Sequence, residues 1–548
     1  MKNPWIAMQA VVFRACLASV LFLATGFGRQ SPSPQTYRLS GTAVDSETRS
    51  PLPGTEVQVS PIGKPDLIES VIADANGRFE FSNLFAGKYS VEAVRSGYLR
   101  SSFEQHGRYS TAVVVGPGLS ATDLIFPLKR KASISGTITD QDGEPVPHAT
   151  VEALRQSVVE GLRAITDAGS GNAGEDGKYR IGGLESGTYF LVVTARPWYS
   201  QQAIASEHEL SVVGRIPTEN APDSKLDAAY PVTYYPGVSD DSEAAPIQLL
   251  AGTHSEANLS LTATPAVHAT VPRSGGVNAR LEAVNHWGAS IPLRSVFFNR
   301  QGQVFTVAPG RYELSAGWRD SAGQHSARKI IEIGGSVTID PASLDDQRSV
   351  FASLGDAFSS ARLSPSNLAL RDLSTLRILR PVSSSKGQAR WSAQELTSGR
   401  YELFFSGPED FYVERVTATN AKVMGRTIEF GADGPVQIQV RLGRGTALLN
   451  GTVKQNGAPA AGAMVLMLRD DFPYAPSLIR RDQSDSDGTF SLANIVPGSY
   501  TLLALPSDDN LEYARADVMQ RYLSKGKRIL IAPSGRYSET IELTGDNP

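Results

Sequence analysis

The chain has seven histidines, at 106, 148, 208, 254, 268, 286 and 325. A zinc peptidase needs His-x-x-Glu and a distant third ligand. No histidine here has Glu three residues on, and no two lie within four residues of each other. A serine nucleophile elbow reads Gly-x-Ser-x-Gly; Ala168-Gly169-Ser170-Gly171 lacks that spacing and reads as a loop. Asp140-Gln141-Asp142-Gly143 and Asp485-Ser486-Asp487-Gly488 start like calcium loops but lack the later bidentate Glu, so both read as ordinary turns. A Lys–Asn cross-link would need a Lys on a first strand; Lys454 lies only at a strand end. The expectation is no catalytic residues, no metal site, no cofactor and no enzyme.

One cluster offers recognition chemistry. The stretch 196–235 carries Trp198, Tyr199, Tyr230, Tyr234 and Tyr235. Flat aromatic faces cover the apolar side of a pyranose while nearby polar groups meet its hydroxyls. The same rings could instead fasten a long excursion to its own domain, or seal a joint to the next one.

The elements that must hold these residues are repeats. Five times a Gly precedes a Tyr by two positions in a turn-forming hexapeptide, giving Tyr89, Tyr189, Tyr312, Tyr401 and Tyr500. Three copies are full. Each starts with an alternating strand holding Gly-Thr (Gly41-Thr42, Gly136-Thr137, Gly451-Thr452). A second alternating strand follows, then Asn76-Gly77, Asp176-Gly177 or Asp487-Gly488, read as a hairpin turn. An aromatic (Phe79, Tyr179, Phe490) then precedes the repeat Tyr by ten residues in every copy. Around Tyr312 the Gly-Thr strand is missing, and around Tyr401 it is Trp391 that stands ten residues upstream. Each Tyr fits a tyrosine corner, with its ring in the core and its hydroxyl on backbone. Leu511–Leu523 carries apolar residues at helical spacing and suggests a short capping helix.

These patterns predict an all-β chain: a tandem array of about five seven-stranded antiparallel β-sandwich domains, immunoglobulin-like or transthyretin-like. The expected division is domain 1 over 36–130, domain 2 over 131–265 with the insertion 196–235, domain 3 over 266–341, domain 4 over 342–445 and domain 5 over 446–548. Domains 3 and 4 are degenerate copies.

Lys2 and Arg14 ahead of the apolar run Ala15–Phe27 read as a signal peptide over 1–28, with a Pro/Ser linker at 29–35. The only cysteine, Cys16, falls inside that leader, so the exported chain would hold no disulfide. The net charge of −4 gives no field for nucleic acid. The expected location is periplasmic or extracellular, with no integral membrane span after cleavage.

The frame of Gly-Thr, Asp-Gly-x-Phe and Pro-Gly-x-Tyr resembles the carboxypeptidase regulatory-like domain, well over 36–130, 131–265 and 446–548 and weakly between. The resemblance implies a transthyretin-like sandwich close to starch-binding-like folds, a non-catalytic companion of zinc carboxypeptidases, and a secreted bacterial tandem array. Polysaccharide is the leading expected partner. The alternative is a structural or adhesive array whose partner is an envelope or extracellular protein.

Overall fold

The computed structural model describes residues 35–119, 121–201, 227–273, 277–293, 296–298, 302–320, 323–340, 343, 349–355, 363–383, 388–392, 396, 399–431, 435–470 and 475–544. The expected leader, almost all of its linker and residues 202–226 of the insertion lie outside these. The protein is all-β. Five large apolar cores each come from one contiguous stretch, spanning 39–128, 132–261, 267–333, 350–442 and 447–541.

In the first sandwich, strand Thr36–Asp45 lies between Arg78–Phe85, antiparallel, and Leu124–Leu128, parallel. The facing sheet is built on Glu69–Ile72, Glu56–Pro61 and Gly87–Val94. Alternation sends Leu39, Ala43, Val57, Val59, Val91 and Ala93 into the space between. The second and fifth sandwiches repeat this plan.

The pairing departs from the expected antiparallel arrangement at one place in every sandwich. Its first strand runs parallel to its last: Ala132–Asp140 with Leu259–Leu261, Val267–Pro272 with Val337–Thr338, Ser349–Leu354 with Val436–Arg444, and Ala447–Gln455 with Arg536–Glu542. Parallel partners start at the same end, so the chain leaves each sandwich at the end opposite its entry. That geometry suits a tandem array.

Three motif readings change. Gly169-Ser170-Gly171 is not a loop but lies in the strand Leu162–Asn172, paired with Val151–Ala153. The Asn-Gly and Asp-Gly turns are not hairpins: Glu69–Ile72 and Arg78–Phe85, which flank the first, belong to different sheets. The turn is an arch. Gly77 sits at φ +71°, and a Cβ there would come within 2.7 Å of the Ala43 carbonyl; Gly177 and Gly488 repeat the arrangement. The third copy lacks the Gly-Thr motif yet keeps the strand, since Val267–Pro272 occupies that place.

The Gly of Gly-Thr and the aromatic after the arch are cross-strand partners: Gly41 with Phe79, Gly136 with Tyr179, Gly451 with Phe490. A Cβ on Gly451 would lie 2.4 Å from the Phe490 ring and 2.5 Å from the Glu539 carbonyl of the parallel last strand. The missing side chain is the space in which the ring and the last strand fit.

The repeat tyrosines are all buried. Each of four hydroxyls donates to the carbonyl four residues upstream: Tyr89 to Phe85 (3.0 Å), Tyr189 to Glu185 (2.8 Å), Tyr312 to Ala308 (2.6 Å) and Tyr500 to Val496 (2.6 Å). Tyr401 packs its ring on Phe430 at 5.2 Å. In the fourth sandwich Trp391 is wholly buried, its indole N–H donating to the Leu379 carbonyl at 3.0 Å.

The array does not extend; it closes. The fifth sandwich docks on the first, where Ser486 N–H donates to the Ala112 carbonyl and Gln483 Nε2 to the Glu104 carbonyl. It also meets the second, through Ala514 N–H on the Gly161 carbonyl and Arg163 on Glu512. Neighbours three and four are joined by a bidentate Arg377–Glu313 pair at 2.8 and 2.9 Å.

The hub of this closure is a hairpin tip. Strands Thr150–Val159 and Leu162–Asn172 are joined by Glu160-Gly161, both at positive φ (+50° and +81°), the twist that two-residue hairpin loops need. Glu160 meets Arg108 of the first sandwich at 3.8 Å and Arg371 of the fourth at 2.7 Å. Helix Ala516–Leu523, shorter than the expected 511–523, buries Met519 and Tyr522 against the outer face of the fifth sandwich.

Candidate ligand surface

Trp198 and Tyr199 open a single 3₁₀ turn, Trp198–Gln201, directly after the strand Gly187–Thr194 and the buried Pro197. A 3₁₀ turn this short cannot bury both rings. Trp198 is 64% exposed, while Tyr199 is half-buried and meets it edge to face at 5.6 Å. Burial raises the Tyr199 hydroxyl above its ordinary pKa, and the Asp140 and Asp142 carboxylates raise it further.

Those carboxylates come from the turn that ends strand Ala132–Asp140. Asp140 Oδ1 accepts from the backbone N–H groups of Asp142 and Glu144, both at 2.9 Å, which fixes the turn. Asp142 is exposed. Tyr230, on the core side, is pushed up to about 12 by burial and then by Asp140, Tyr199 and Asp142. An exposed indole, a half-buried phenol and two carboxylates therefore share one corner of the second sandwich. Such a corner can stack on an apolar ring face and accept hydrogen bonds from its hydroxyls.

The other rings of the sequence cluster do different things. Tyr230 is 9% exposed and joins the core of the second sandwich, against which Tyr235 also packs. Tyr234 is 3% exposed and meets Trp287 of the third sandwich edge to face at 5.4 Å, with Phe190 on the same indole at 4.8 Å. The structure thus brings Trp198 and Tyr199 to the surface and turns Tyr230 and Tyr234 inward. Tyr234 seals a joint, the second of the roles open to it on sequence.

Sequence reasoning missed the latch beside that joint. Asp241 is buried and accepts from His286 twice, from the backbone N–H at 2.6 Å and from ring Nδ1 at 2.7 Å. The bond to Asp241 raises the exposed His286 imidazole above its ordinary pKa. Asp240, Asp241 and His286 come close enough to hold a cation, but both Asp241 oxygens are occupied by His286 and Asp240 Oδ1 by Ser242. No spacing signal announces this group, because its members lie 45 residues apart on different sandwiches.

Comparison with known proteins separates fold from role. No curated protein matches the chain. Among solved structures, the minor pilin GBS52 of Streptococcus agalactiae is 13% identical, covering 42% of this chain and 97% of its own, with a TM-score of 0.20. The shaft pilin SpaA of Lactobacillus rhamnosus GG is 12% identical, with coverages of 42% and 98% and a TM-score of 0.18. The Bacillus anthracis TIE protein is 9% identical, covering 94% and 76%, at 0.15. At such scores these likenesses say nothing about what the chain does. The carboxypeptidase regulatory-like domain matches residues 38–124 and 133–212, the first two full copies of the repeat. Those two stretches of the chain belong to the carboxypeptidase regulatory-like domain family.

Proposed function

We propose that the protein is an exported, non-catalytic binding scaffold, working in the periplasm or outside the cell, and that its ligand is a polysaccharide. One observation carries the ligand class: Trp198 stands 64% exposed beside Tyr199, next to the Asp140–Asp142 turn. An indole left in water, on a turn that directly follows the strand Gly187–Thr194, presents its face for stacking. The regulatory-like domain is a non-catalytic module, which supports a scaffold over a hydrolase. Among the described residues no helix is long and apolar enough to cross a membrane.

Pull-down on insoluble polysaccharides, followed by a glycan array, tests this reading. Trp198→Ala should abolish retention, and Asp142→Asn should weaken it several-fold. Retention that ignores Trp198→Ala would remove the sugar assignment.

A second reading rests on the edge of the first sandwich. Ile62, Leu67, Ile68 and Ile72 are 58–65% exposed along and beside the edge strand Glu69–Ile72. An exposed apolar edge can add a strand from a protein partner. Ile72→Lys would cut capture of such a partner and leave retention on polysaccharide unchanged.

A further inference from the structure

The margin of the fourth sandwich carries a cavity that the surface around Trp198 does not involve. Strand Phe411–Thr419 is the edge of one sheet and Ala421–Met424 the edge of the other. The chain passes between them at Asn420, in the left-handed region at φ +59°. A sandwich closed by two edges leaves a cleft between them, and here the fifth sandwich covers part of it with Arg469 and Leu478. The cavity is about 510 Å³, within the range of small-molecule sites.

Arg415, Arg426 and Arg469 line the cavity, and Glu414 is the one carboxylate among the lining residues. Arg469 is already engaged, the Tyr500 hydroxyl among its partners. Glu414 is engaged by Arg441 at 2.9 Å. Arg426 donates to the Val413 carbonyl at 2.6 Å and to Ser477 Oγ at 3.4 Å, neither of which neutralises it. Burial lowers the Arg426 guanidinium to about 10, with Glu402 opposing and Arg469 and Arg480 adding to the fall. Glu402, the buried carboxylate nearby, already accepts from Ser477 N–H at 2.9 Å and pairs with Arg371 at 3.2 Å. Arg415 is exposed at the edge of the cleft and makes no hydrogen bond or ion pair among the described residues. The rest of the wall is largely apolar, with Val416, Val423 and Leu478.

We propose that this cavity binds a compact organic oxyanion, a carboxylate on a small, partly apolar body, with Arg415 and Arg426 meeting the anion and the valines and Leu478 covering the body. Guanidinium groups match carboxylate geometry in paired hydrogen bonds, and a partly dry cleft strengthens them. A sugar acid has this chemistry, and a polysaccharide bearing such units would reach the cleft at a chain end. The inference stands on the cavity alone and holds whether or not the Trp198 corner binds sugar.

The test is isothermal titration calorimetry of the whole exported chain with D-glucuronate, D-glucose and inorganic sulfate. Glucuronate should bind, glucose should bind at least tenfold more weakly, and sulfate should compete with glucuronate. Arg415→Gln lies on the exposed margin and leaves the fold intact; it should weaken glucuronate at least fivefold. Trp198→Ala should leave glucuronate binding unchanged. Absence of glucuronate binding, equal affinity for glucose, or indifference to Arg415→Gln would each overturn the proposal. Loss of binding in Trp198→Ala would move the ligand to the other surface and also overturn it.

Discussion

Lys88 and Asp485 lie 397 residues apart in the chain, and the Lys88 ammonium rests on the Asp485 carboxylate. Lys88 also donates to Thr489 Oγ1 at 2.8 Å, and the other Asp485 oxygen accepts from Ala112 N–H at 3.1 Å. Burial pushes the Asp485 carboxyl above the ordinary range, and Lys88 draws it back. The pair fastens the last sandwich to the first. Because the partners are tethered, each contact acts at high effective concentration, and modest interactions suffice to close the array.

Lys88→Met should therefore destabilise the closed form by about 1–2 kcal/mol, since it strands a carboxylate while the lysine itself was partly solvated. Lys88→Met with Asp485→Asn should cost less than the two single changes summed, by about 1 kcal/mol. A double-mutant cycle from urea denaturation measures this coupling. A cycle that sums to zero would mean that the contact does not form in solution.

Asp45 gives the clearest pH dependence. It is 1% exposed. Burial alone would raise its carboxyl, but the Thr48 N–H, the Arg130 guanidinium, the Tyr98 hydroxyl and the Glu47 N–H outweigh burial and hold it far below the carboxylate range. A depressed folded pKa means that the unfolded chain takes up the proton first. The stabilisation is whole above about pH 4, the unfolded value, and drains as pH falls toward the folded one. Asp45→Asn should lower stability at pH 7 by about 2–3 kcal/mol, through lost charge-assisted bonds, and should flatten the acid limb of a pH–stability profile. An unchanged acid limb would refute the assignment.

Much of the fold could be read from the chain because its signals are local. The alternation of Leu39 and Ala43, the arch at Asn76-Gly77 and the ten-residue step from Phe79 to Tyr89 each lie within one turn or strand. The Gly41–Phe79 partnership was visible as two motifs but not as one, since register joins residues that no spacing rule connects. The parallel pairing of first and last strands has no local signature at all. The aromatic cluster was legible as five rings, yet burial divides them, and burial of Tyr234 depends on Trp287, a residue of the next sandwich. Closure was the least legible feature. Lys88, Glu160 and Asp485 look like ordinary surface charges until tertiary packing brings their partners to them.

The tyrosine corners should not be equal in worth. The Tyr500 hydroxyl donates at 2.6 Å within a wholly buried site, and burial raises its pKa. Tyr89 donates at 3.0 Å and is 6% exposed. Removing the hydroxyl strands a carbonyl in each case, but Phe85 is an exposed residue whereas Val496 is buried. Tyr500→Phe should cost about 1–2 kcal/mol, and Tyr89→Phe less than about 1 kcal/mol. Guanidinium denaturation of both variants would show the order, and equal costs would contradict it.

Gly161 and Gly63 provide a matched pair for weighing the hub. Both hold nearly the same left-handed backbone, φ +81° and +82°. A Cβ at Gly63 would meet nothing within 4 Å, whereas at Gly161 it would lie 2.5 Å from the Tyr513 ring and 2.6 Å from Ala514 N. Alanine at either position carries the same backbone penalty, about 1 kcal/mol. Any excess at Gly161 therefore measures the docking of the fifth sandwich on the hairpin tip. Gly161→Ala should cost at least about 2 kcal/mol in total, as overpacking does, and should enlarge the radius of gyration in small-angle scattering as the fifth sandwich loosens. Gly63→Ala should leave that radius unchanged. If the two variants scatter and melt alike, the hairpin tip is not what holds the array closed.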